Sequence, residues 1–82
     1  MVVEAKFKGC DPSGRLRDGA YELPEGATVA MLIESAQRES GGEYSKEWLD
    51  DVKFLVDNRP AVIGTVLADG SVLRVIYTIL GG

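Results

Sequence analysis

The chain has 82 residues, a formal net charge of −4 and an apolar fraction of 45 %, values that are typical of one small folded domain. The negative charge disfavours binding to nucleic-acid phosphates or to an anionic membrane surface. There is no histidine and only one cysteine, Cys10, which disfavours catalysis by a general base, a structural zinc site and a disulfide framework. No apolar stretch reaches the length of a membrane span, and we expect a reduced, cytoplasmic protein.

The first half of the chain predicts a hairpin followed by one helix. Apolar and charged residues alternate over 3–8, which is the period of a half-buried strand, and a second strand is predicted over 20–23. Thr28 is a suitable N-cap for an amphipathic helix that ends at the glycines 41–42. The apolar stripe of this helix consists of Val29, Leu32, Ile33 and Ala36.

The second half predicts the rest of a sheet. Phe54 and Val56 form the inward set of a third strand, and Asp57–Asn58 suits a tight hairpin turn. A short strand or an irregular segment is expected over 62–66, and a strongly β-prone strand over 72–77. One helix packed across a mixed sheet of four or five strands is the α+β arrangement called a β-grasp.

Four segments carry a resemblance to a known family. They are Leu-Pro-Glu-Gly-Ala-Thr-Val at 23–29, Val-Asp-Asn-Arg-Pro-Ala at 56–61, Leu-Ala-Asp-Gly-Ser-Val-Leu at 67–73 and the diglycine at 81–82. In combination they resemble the MoaD/ThiS family of ubiquitin-like sulfur carriers. This family comprises the small subunit of molybdopterin synthase and the sulfur carrier of thiamine biosynthesis. The chain length is closer to the molybdopterin type, whereas the absence of proline from 77–80 is closer to the thiamine type.

The resemblance implies a chemistry at the carboxylate of Gly82. A partner, an E1-like adenylating enzyme, activates this carboxylate with ATP, and sulfur then replaces AMP to leave a thiocarboxylate. The flexible tail, residues 78–82 of a single domain over 1–82, presents Ile79, Leu80 and Gly81 to the partner. The carrier itself is expected to be no enzyme, with no catalytic residue, bound cofactor or metal.

The resemblance allows two sulfur acceptors: a molybdopterin (or tungsten cofactor) synthase large subunit, or a thiazole-forming enzyme. We favour the first.

Strand alternation also predicts a partner-contact surface. If Leu73, Val75 and Tyr77 face the helix, then Ile76 faces outward, as does Leu55 between the two inward residues of the third strand. Leu55 and Ile76 are therefore expected to form an exposed apolar patch with Ile79 and Leu80.

Two other function classes remain open at this stage. The same activated carboxylate could be passed to a lysine amine, which would make the chain a protein modifier. A non-covalent binding module would function without the diglycine. The remaining candidates favour structural or solvated roles: Cys10 as a passive thiol, Asp50 and Asp51 as solvated acids, and Lys6, Lys8, Arg15 and Arg17 as a solubilising basic group.

Overall fold

The computed structural model describes residues 1–7, 16–41 and 52–77 of the chain. They form β1 (Val2–Lys6), β2 (Gly19–Glu22), α1 (Val29–Ser40), β3 (Val52–Val56), β4 (Arg59–Ala61) and β5 (Val72–Tyr77). Several predictions concern residues outside these ranges, namely those for Lys8, Cys10, Arg15, Asp50, Asp51 and the tail over 78–82.

The five strands form one mixed sheet in the order β2-β1-β5-β3-β4. The central strand β5 runs parallel to β1 and antiparallel to β3, while the two hairpins β1–β2 and β3–β4 are antiparallel. The predicted α+β class and β-grasp architecture are therefore confirmed. Within the described part of the chain, no helix is long and apolar enough to cross a lipid bilayer.

The helix begins and ends where the sequence places its signals. The Thr28 hydroxyl accepts a hydrogen bond from the Met31 N–H at 3.4 Å, and Gly41 ends the helix in the left-handed conformation at φ 81°. The backbone N–H groups of Val29 and Ala30 donate to the carbonyls of Thr65 and Ile63. The N–H groups of the first helical turn, which have no acceptor within the helix, are therefore hydrogen-bonded to other parts of this chain.

One hydrophobic core lies between the helix and one face of the sheet. The predicted helical stripe is fully buried there, and Leu73 and Val75 of the central strand are buried beneath it. The other fully or nearly buried members are Val3, Ala5, Phe7, Leu16, Tyr21, Leu23, Ala27, Val52, Phe54 and Leu67. The opposite face of the sheet, which we call the open face, carries the alternate residues of each strand.

The β3–β4 hairpin turns through two residues in the left-handed region, as predicted. Asp57 has φ 51° and Asn58 has φ 68°. The Asp57 carboxylate also accepts a hydrogen bond from the Val72 N–H at 2.9 Å, which ties the turn to the start of β5.

Replacement of Asn58 by valine is expected to lower the free energy of unfolding by about 1–2 kcal/mol, because a β-branched residue is strained at positive φ. Asn58→Gly is the matched control and should leave the stability unchanged or slightly higher. Urea unfolding of the three proteins measures the difference. Equal stability of the valine and glycine variants would contradict this account of the turn.

Candidate partner-binding surface

The open face of the sheet brings together the two apolar residues that were predicted to contact a partner. Leu55 on β3 is half-buried and Ile76 on β5 is 43 % exposed. Leu55 lies opposite Arg74, and Ile76 lies opposite Lys53. Leu55 and Ile76 are therefore diagonal neighbours across adjacent strands, about 7–8 Å apart between Cα atoms. We call these two residues the Leu55–Ile76 patch.

The patch exists because β3 and β5 place alternate residues on opposite faces. Leu73 and Val75 on β5 are buried against the helix, and Phe54 on β3 is buried beside them. The side chains between them must then point to the open face. The predicted inward and outward sets of these two strands are thus confirmed for Phe54, Leu73, Val75, Leu55 and Ile76.

The predicted working end of the chain follows this surface directly. Strand β5 ends at Tyr77, whose backbone pairs with Val52 at the start of β3. Ile79, Leu80, Gly81 and Gly82 lie outside the described residues, so their share in the patch and the role of Gly82 stay predictions.

An apolar groove that the sequence analysis did not predict extends this surface to the sheet edge. It has a volume of about 610 Å³ and is lined in part by Leu55, Pro60, Val62 and Ile63. Val62, Ile63 and Val66 are exposed, by 66 %, 48 % and 63 %. The groove is an apolar area beside the Leu55–Ile76 patch, and Leu55 is common to both.

The loop over 62–66 exposes its valines and isoleucine. Its backbone groups bond to the start of the helix and within the loop, and in the described part of the chain they do not pair with a neighbouring strand as a strand's would. The carbonyls of Ile63 and Thr65 receive the first helical N–H groups, and the Val62 N–H donates to the Thr65 hydroxyl at 3.0 Å. The sequence left a short strand or an irregular segment open over 62–66, and the structure shows an irregular segment there. The short strand lies earlier, at Arg59–Ala61, and Val66 forms only an isolated β-bridge to Thr28. Pro60 and Gly64 were the available signals, since both disfavour a continuous strand here.

The basic group predicted near the first hairpin does not form one surface in the described residues. Arg17 pairs with Glu39 at 3.1 Å and lies over the Tyr21 ring at 4.4 Å, on the helix side of the sheet. The hydrogen bond that Arg17 donates to the Glu39 carboxylate raises the pKa of Arg17, and burial raises the pKa of Tyr21. Lys6 instead projects from the open face opposite Arg74. The contacts of Arg17 with Tyr21 and Glu39 join β2 to the end of the helix, which is a structural role.

Similar solved structures share this architecture over nearly the whole chain. The protein described as molybdopterin converting factor, subunit 1, from Pyrococcus furiosus is 29 % identical, with a TM-score of 0.73 over 96 % of this chain and 99 % of that one. SAMP1 from Haloferax volcanii is 20 % identical, with a TM-score of 0.71 over the full length of both chains. The chain resembles the MoaD/ThiS proteins in its fold. The resemblance predicted from the four sequence segments is therefore confirmed.

A third similar structure is a complex. It contains subunits 1 and 2 of the molybdopterin-converting factor from Helicobacter pylori, and the match is 23 % identical with a TM-score of 0.56 over the full length of both chains. No family model and no curated protein sequence matches the chain.

Proposed function

We propose that this chain is a ubiquitin-like sulfur carrier that delivers sulfur from a thiocarboxylate at Gly82. The observation that carries the proposal is the placement of the Leu55–Ile76 patch beside the strand that leads to the diglycine. A carrier needs such a surface because a partner enzyme must hold the domain while it modifies the terminus. The likeness to subunit 1 of the molybdopterin converting factor supports the same assignment.

The chemistry asks little of the carrier itself. The Gly82 carboxylate attacks the α-phosphate of ATP and releases pyrophosphate, which leaves an acyl adenylate. Hydrosulfide supplied by a partner then attacks the acyl carbon, AMP leaves with the bonding electron pair, and a thiocarboxylate remains. Partner enzymes supply the acids, bases and metal ions of both steps. Glycine suits both terminal positions because backbone without a Cβ can enter a narrow active-site channel.

Molybdopterin synthesis is the destination that we favour. Two of the similar structures are described as subunit 1 of a molybdopterin converting factor, and in one of them it is bound to subunit 2. A synthase large subunit is therefore the proposed acceptor, with this chain as the small subunit that catalyses nothing alone. Thiamine synthesis is the competing destination, and its acceptor would be a thiazole-forming enzyme.

The proposal is tested by reconstituting the first step. The purified chain is incubated with ATP and the E1-like adenylating enzyme of its own organism, and pyrophosphate release is measured. Release should require the chain and should be lost when Gly81 and Gly82 are deleted. Pyrophosphate release that is equally fast with the truncated chain would overturn the proposal.

Aspartate in place of Ile76 is expected to weaken binding of the adenylating enzyme about 10- to 100-fold, because an apolar contact would be replaced by a carboxylate that loses its water on binding. Met31→Asp is the matched control. Met31 is also an exposed apolar residue, but it lies on the first turn of the helix, where an acidic residue is tolerated. Titration calorimetry measures both affinities. Equal weakening by the two substitutions, or none, would remove the Leu55–Ile76 patch from the contact.

A further inference from the structure

The open face of the sheet has an uneven distribution of charge. Lys6, Arg74 and Lys53 are all exposed there, on three adjacent strands. Lys6 and Arg74 are direct cross-strand partners, Arg74 is the partner of Leu55, and Lys53 is the partner of Ile76. Three cations therefore surround the Leu55–Ile76 patch in a protein whose formal net charge is −4.

The acidic residues of this face lie toward the other end of the strands. Glu22 and Glu4 lie on β2 and β1, and Asp69 and Asp57 bind the N–H groups that begin β1 and β5. Glu4 lies two residues before Lys6 on β1. The cations lie toward the end of the sheet where β5 stops at Tyr77 and the chain continues to Gly82. We call this the tail-proximal end.

The cations are not neutralised by the described part of the chain. None of the three makes an ion pair within residues 1–7, 16–41 and 52–77, where Arg17 and Glu39 do pair. Of the described acids near the tail-proximal end, Asp18 accepts a hydrogen bond from the Phe7 N–H at 2.7 Å, and Glu39 is paired with Arg17 on the helix side. Like charges directly opposite each other in a sheet are destabilising, so the Lys6–Arg74 pair is an arrangement that the fold alone does not favour.

We propose that the tail-proximal half of the open face docks a partner protein with an apolar centre flanked by carboxylates. Apolar contact with the Leu55–Ile76 patch would supply affinity, and the acidic rim would relieve the repulsion between Lys6 and Arg74. The separation of charge along the strands also orients the encounter. An acidic partner attracts the cationic end and repels the acidic end, so the domain arrives with the end of β5 at Tyr77 toward the partner.

This inference rests on the proposed function because it names the chemistry of the surface that recognises the same tail. A second copy of the chain is the other occupant with suitable charges, since its acidic half could cover the cationic half. The net charge of −4 makes two copies repel each other. We therefore assign the docking face to a different protein.

The test reverses charge on the open face and compares it with an equal reversal elsewhere. Lys53→Glu combined with Arg74→Glu changes the docking surface. Arg38→Glu combined with Arg59→Glu lowers the net charge equally at exposed positions on the helix and the hairpin. The probe is the adenylating enzyme of the same organism, and the readout is kcat/KM for pyrophosphate release as a function of the chain concentration.

The open-face pair is expected to lower kcat/KM at least about 10-fold at an ionic strength of about 0.1 M and to lose much of that effect near 1 M. The control pair should change kcat/KM less than about threefold under the same conditions. Equal effects of the two pairs, or an effect that does not depend on salt, would overturn the proposed surface. Sedimentation at low salt should show a monomer, and a salt-sensitive dimer would assign the face to a second copy instead.

A second measurement does not require the enzyme. The isotope-labelled chain is titrated with a synthetic peptide in which leucines are flanked by glutamates, and backbone amide shifts are followed. Shifts should concentrate at Lys53, Leu55, Arg74 and Ile76 and disappear in the open-face variant. Shifts on α1 and β2 alone, or none, would contradict the docking chemistry. If no enzyme charges the unaltered chain, the proposed function fails, and this titration still decides the docking surface.

Discussion

A single alanine added after Gly82 is expected to lower ATP-dependent charging of the chain by about 100-fold or more. The addition moves the reactive carboxylate about 3.5 Å along an extended chain and places a Cβ beside it. An active site that holds the carboxylate against the α-phosphate of ATP tolerates neither change. Pyrophosphate release with the adenylating enzyme measures the loss.

The control for this experiment is the same extended protein after removal of the alanine by a carboxypeptidase. Charging should return, which would show that the domain remained folded and that only the position of the carboxylate had changed. Unimpaired charging of the extended chain would mean that Gly82 is not the reacting residue.

Replacement of Leu73 by alanine is expected to lower the free energy of unfolding by about 2–5 kcal/mol. Leu73 is fully buried on the central strand, where its Cα partners are Ala5 on β1 and Val56 on β3. Small domains have a total stability of only about 5–15 kcal/mol, so this one change removes a large part of the stability. Denaturant unfolding with two spectroscopic probes measures the change.

Ile76→Ala is the matched control because Ile76 lies on the same strand but faces the open side. This variant should lose less than about 1 kcal/mol, since little apolar area is removed from the core. Similar losses for Leu73→Ala and Ile76→Ala would contradict the assignment of the two faces of β5.

Local patterns were sufficient to predict most of the fold. The Thr28 cap, the helical stripe and the alternation in β5 each depend on neighbours a few residues apart, and all three agree with the structure. The outward orientation of Leu55 and Ile76 followed from the same alternation. These features were accessible because strand and helix periods are properties of the backbone rather than of tertiary context.

The features that the sequence did not reveal depend on residues distant in the chain. Nothing local indicates that Lys6 lies opposite Arg74, because that pair forms only when β1 and β5 meet in parallel. The apolar run over 62–66 suggested a strand as one of two readings, but its carbonyls accept hydrogen bonds from the helix. The groove and the three cations around the Leu55–Ile76 patch therefore became evident only from the three-dimensional structure.

The intact mass of the protein, purified from its native host without reducing or alkylating treatment, tests the central claim most directly. The account predicts a species about 16 Da heavier than the unmodified chain, with the added mass located at Gly82 by fragmentation, because sulfur replaces one carboxylate oxygen. A terminus found only as a free carboxylate while cofactor synthesis is active would contradict the account. A terminus found joined to lysines of other proteins would assign the chain to the protein modifiers instead.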